Sequence, residues 1–93
     1  MIIKIDPVLA KPPVPQSVTM RQARLALLGI GLLDDVGAAI AAIPDPAQRK
    51  AAEIEWEYAT VIERNSSLVT SLAAGLGLTA ADIDALFEAA SRI

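Results

Sequence analysis

The chain has 93 residues, 54% of them hydrophobic and only 3% aromatic, a size and composition that suit one domain with a core of Ala, Leu, Ile and Val. It contains no cysteine and no histidine, which excludes disulfides, thiol chemistry, thiolate metal sites and the usual base near neutral pH. A net charge of −3 lacks the clustered Lys and Arg that grip phosphate backbones, so nucleic acid is not an expected partner.

Residues 1–18 hold Pro7, Pro12, Pro13 and Pro15, and each proline removes a backbone donor and pushes its predecessor toward extended conformations. This stretch reads as an extended N-terminal arm, with Ile2, Ile3 and Ile5 suited to a brief strand. Val8, Leu9 and Val14 are its apolar contacts, available to the body of the protein or to another molecule. The arm shows no basic start, long apolar region or small-residue cleavage site of a secretory signal, so a cytoplasmic location is expected.

Residues 19–93 read as a helical domain. Thr19-Met-Arg-Gln22 matches a capping box, opening a helix to about Leu28 that Gly29-Ile-Gly31 ends. A second helix is predicted from about Leu32 to Ala42, with Asp34 and Asp35 in its first turn and Leu33, Val36, Ile40 and Ile43 on its buried face. The stretch from Ala23 to Ile43 is apolar enough to raise the question of a membrane span. Arg24, Asp34 and Asp35 would each cost about 2.5 to 3.5 kcal/mol near a bilayer centre, and three glycines interrupt it, so two core helices and no span are expected.

Ile43-Pro44-Asp45-Pro46 is the next break, with Asp45 as N-cap and Pro46 at the first helical position. The third and longest helix is predicted over residues 47–64. Ala51, Ile54, Tyr58, Val61 and Ile62 then form its buried stripe, and Trp56 is turned roughly half a turn away, among Arg49, Glu53, Thr60 and Glu63. An outward tryptophan among charges serves as a partner anchor, or else lies beneath the arm, covered by Val8, Leu9 or Val14. The partner-binding set on this reading is Trp56, Arg49, Glu53, Thr60, Glu63, Val8, Leu9 and Val14.

Asn65-Ser-Ser67 caps a fourth helix from Leu68 to Leu76, with Gly75 and Gly77 as its stop. Thr79-Ala-Ala-Asp82 opens the last helix, whose Ile83, Leu86, Phe87, Ala90 and Ile93 line one face. The expected architecture is all-α: an extended Pro-rich arm followed by a compact bundle of about five short helices.

No constellation in the chain carries chemistry. Glu53, Glu55, Glu57 and Glu63 crowd one segment, and Asp82 and Asp84 another, but neither has a ligand-rich partner segment for a metal or an acid/base pair. Gly29, Gly31, Gly75 and Gly77 do not form a nucleotide-binding fingerprint. A helix-turn-helix reading fails because the second helix offers Asp34, Asp35 and alanines where base-reading side chains belong. No catalytic, cofactor-binding or metal-binding residues are assigned, and a non-enzymatic role is expected.

Three segments together are similar to a family of small helical proteins encoded in the tail or tail-fibre gene region of tailed bacteriophages and prophages. They are Pro15-Gln-Ser-Val-Thr-Met-Arg-Gln-Ala-Arg-Leu-Ala-Leu-Leu28, then Ile54-Glu-Trp-Glu-Tyr-Ala59 with Glu63-Arg64, then Leu76-Gly-Leu-Thr79 with Ile83-Asp-Ala-Leu-Phe87. The resemblance covers nearly the whole chain and implies a tail-associated structural or assembly protein that binds a tail-fibre or baseplate protein. It implies location in the host cytoplasm during assembly, or in the virion tail, and names no catalytic residue. The alternative expectation is a small phage regulatory or anti-host protein that occludes a bacterial factor. A homo-oligomer is compatible with both.

Overall fold

The computed structural model describes residues 14–93. The strand suggested for Ile2, Ile3 and Ile5, and the contacts suggested for Val8 and Leu9, lie outside these residues. The described elements are β1 (Ser17–Thr19), α1 (Met20–Gly29), a 3-10 turn (Leu33–Asp35), α2 (Val36–Ala41), α3 (Pro46–Tyr58), β2 (Val61–Glu63), α4 (Ser67–Leu76) and α5 (Ala80–Ser91). The described residues are mostly helical, with five α-helices and a two-stranded antiparallel ribbon in which Val18 faces Ile62.

Most helix ends follow from side chains within one turn of them. The Gln22 N–H donates to Thr19 Oγ1 at 3.0 Å, and the Thr19 N–H donates back to Gln22 Oε1 at 2.9 Å, so both halves of the α1 capping box are made. Asp45 accepts from the Ala47 N–H ahead of Pro46, and Ser66 accepts from the Val69 N–H. Gly77, at φ +70°, ends α4 in the left-handed conformation that glycine adopts without strain.

The second capping box has a consequence for acid stability. Asp82 accepts from the Thr79 N–H at 2.9 Å and its own N–H donates to Thr79 Oγ1 at 3.1 Å. The Thr79 backbone first, and its side chain second, favour the charged carboxylate and hold Asp82 below its ordinary range. A carboxyl lowered on folding contributes stability that is complete above the unfolded value, about 3.9, and is lost as pH falls through the folded one. Acid unfolding followed by circular dichroism should therefore show a loss below about pH 4 that Asp82→Asn removes.

Three features depart from the expected elements. The helix predicted from Leu32 to Ala42 is a 3-10 turn followed by the six-residue α2. The third helix stops at Tyr58 rather than continuing to Arg64. Ala59 is extended (ψ 141°), and the β-branched run Thr60-Val61-Ile62 enters β2 instead. The ribbon itself was not anticipated, and it joins Ser17–Thr19 to the body.

The core gathers around Val36 and Ala90, each 1% exposed. Leu68, Val69 and Leu72 come from α4, Ile83 and Phe87 from α5, and the ribbon turns Val18 and Ile62 inward. The principal pairings are α2 on α4 and α1 on α5, with α3 lying against α2 and α4. Gly75 is a packing residue and not a helix stop: a Cβ at that position would lie 2.6 Å from Ala39 Cβ and 3.0 Å from Ala39 Cα. Only the absence of a side chain lets α2 and α4 approach so closely.

Candidate interaction surface

The structure reverses the predicted orientation of α3. Ala52 is buried, and Trp56 and Ala59, four and seven residues on, are half-buried against the core. The expected buried stripe points outward instead: Ala51 is exposed, Ile54 is 51% exposed and Tyr58 77%. The physical reason is that α3 carries apolar residues on two nearly opposite faces. Against α2 and α4 the small Ala52 allows a closer approach than Ile54 would, so the less hydrophobic face is the one that packs. Because the helix ends at Tyr58, Val61 and Ile62 leave the stripe altogether.

Trp56 is therefore half-buried against the core and does not stand out among charges as an outward anchor. Arg24 of α1 lies over its ring, the guanidinium carbon 4.1 Å from the ring centroid, and donates from Nη2 to the Trp56 carbonyl. That carbonyl belongs to the last turn of α3, where carbonyls lack helical partners and a cation is favoured. Arg24 and Trp56 together form a clamp between α1 and the end of α3, with a cation–π contribution of about 0.5 to 2 kcal/mol. An arginine inside the apolar run of α1 was the sequence signal for a specific partner.

The remaining predicted site residues serve the fold or lie on its surface. Arg49 donates to the Ile43 carbonyl at 2.8 Å and ties the start of α3 to the preceding break. Glu53 is exposed and 3.4 Å from Lys50. The Thr60 carbonyl accepts from the Met20 N–H at 2.8 Å, and the Glu63 carbonyl accepts from Ser66. Val14 is half-buried and packs on the core. Arg64, outside the predicted set, donates from Nε to Asp84 at 2.7 Å and holds the end of β2 to α5.

What the surface offers is an apolar strip. Ile54 and Tyr58, one helical turn apart, share the outer face of α3 with Ala47 and Ala51, and Val61, 47% exposed, follows in β2. Beside the strip runs a groove of about 780 Å³ between α3, β2 and α4, with Gln48, Ala51, Glu55, Val61, Leu68 and Ser71 in its walls. A small cleft of about 50 Å³ in the core is lined only by apolar side chains such as Leu27, Leu72 and Phe87, and offers no group for chemistry. Among the described residues no three carboxylates converge, and no single helix is long and apolar enough to cross a membrane.

Comparisons with protein-family models, with curated proteins and with solved structures return no match.

Proposed function

We propose that this protein is a non-enzymatic structural or assembly component of a phage tail, and that it docks on a tail-fibre or baseplate protein through the outer face of α3. The observation that carries the docking reading is Tyr58, a large aromatic 77% exposed beside Ile54 and Val61. A tyrosine flanked by aliphatic residues combines apolar area with a hydroxyl able to find a partner, the composition that dominates protein interfaces. The tail assignment rests on the resemblance of three segments to proteins encoded among tail genes. On this reading the protein acts in the host cytoplasm while tails assemble.

Pull-down against tail-fibre and baseplate proteins tests the proposal. Tyr58→Asp is expected to weaken capture by about 30-fold or more, the effect of losing an aromatic hot spot. Undiminished capture would remove α3 from the interface. Capture of a host protein and of no tail protein would support the regulatory alternative instead.

A further inference from the structure

A cleft of about 50 Å³ lies in the core where α1, α4, α5 and the ribbon meet. The shape of the fold and the choice of side chains both open it. The axes of α4 and α5 are bent by 114° at the turn between them, so the two helices diverge from a shared corner instead of running side by side. Along the pairing of α1 with α5 the corner is lined by Ala23, Ala26 and Ala90. Phe87 is the one aromatic residue that is fully buried. Side chains this short leave space at a corner, where close packing needs volume from every wall.

The lining decides what that space can hold. All thirteen of its residues have apolar side chains, and nine of them are buried. A buried water needs about two to four polar partners, and these walls supply none from their side chains. A nonpolar guest needs no such partner, and it gains dispersion contacts with Leu27, Leu72, Ile83 and Phe87. A cavity of about 150 Å³ with walls of this kind admits benzene or xenon. At about a third of that volume, the cleft suits a single large atom or a molecule of very few heavy atoms, and is too small for an aromatic ring. We propose that the cleft is a binding site for small nonpolar molecules, entered past the half-buried Ala23, Leu76, Leu78 and Leu86 at its rim. Its walls come together only in the folded chain, so a guest stabilises the packing of α1, α4 and α5 by mass action.

Methyl NMR spectra of the full chain under xenon pressure test the assignment. The Leu27, Leu72 and Ile83 methyls should shift and saturate, whereas those of the exposed Ile54 and Ile93 should move only in proportion to pressure. Helium at equal pressure should produce no saturable shift, and neither should benzene. The melting temperature should rise with xenon and not with helium. Ala26→Val puts two methyl groups into the cleft and should abolish the saturable shifts. Ile83→Val, a change mild enough to preserve the fold, enlarges the cleft and should lower the pressure at half-saturation. Shifts that stay linear at every methyl, or saturable shifts that survive in a folded Ala26→Val protein, would overturn the proposal. Saturation confined to methyls outside the lining would overturn it too, and saturation by benzene would overturn the limit on size.

Discussion

Gly75→Leu should abolish cooperative folding or lower stability by more than about 4 kcal/mol, and even Gly75→Ala should be destabilising. In an exposed helix interior the alanine change would be favourable by about 1 kcal/mol, because glycine is the weaker helix former. Here the new Cβ would sit 2.6 Å from Ala39 Cβ and 3.0 Å from its Cα, against an optimum of about 3.5 to 4.0 Å between carbons. The obstruction includes backbone and no flexible side-chain end, so α2 and α4 must move apart along the main helix pairing of the fold. The six residues of α2 otherwise pack against α3 and the 3-10 turn, so displacing α2 from α4 disturbs those contacts as well. Overpacking of this kind costs about 1 to 3 kcal/mol for one added carbon, which outweighs the propensity gain. At roughly 4 to 8 °C per kcal/mol for a domain of this size, thermal melting resolves the effect. Gly29→Ala is the control, since nothing lies within 4 Å of its added carbon. A Gly75→Ala protein melting at or above the original temperature would refute the close approach.

Trp56→Ala and Tyr58→Ala should separate cleanly, the first in stability and the second in partner capture. Truncating a fully buried aromatic costs about 3 to 5 kcal/mol, and a half-buried one correspondingly less. Trp56→Ala also leaves the Arg24 guanidinium without the ring it covers, so about 2 to 3 kcal/mol is expected. Tyr58 is 77% exposed, and its removal should change stability by no more than about 0.5 kcal/mol. Urea unfolding of the two variants decides the matter. Equal losses would mean that the inward and outward faces of α3 have been wrongly distinguished.

The features legible from the amino acids were those determined within a single turn of chain. Thr19 with Gln22, Asp45 before Pro46, Ser66 and Thr79 with Asp82 all cap the helices that their spacing announces, because each cap joins residues two or three apart. Which face of α3 is buried could not be read in the same way. Apolar residues occupy both faces, and the choice depends on the alanines that let α3 settle against α2 and α4, a property of three helices at once. The ribbon was hidden for a related reason: its strands are three residues each, and Val18 meets Ile62 across most of the domain. The β-branched Thr60-Val61-Ile62 run was the local hint that helix would give way there. With α3 assigned inside out, Trp56 was mistaken for surface and Tyr58 for core. The exposed apolar strip of Ile54, Tyr58 and Val61 was present among the expected residues but was expected to be buried.

The pairing of α1 with α5 constrains how the molecule is made. Residues 30 to 79 separate the two helices, so while the chain emerges from the ribosome α1 has its apolar side ready long before the surface that will cover it exists. Until α5 is released from the exit tunnel, Leu27 and its neighbours stay accessible to chaperones or to other nascent chains. The α1–α5 pairing therefore forms only after α5 has emerged, and slow elongation between the two helices would lengthen the most aggregation-prone interval.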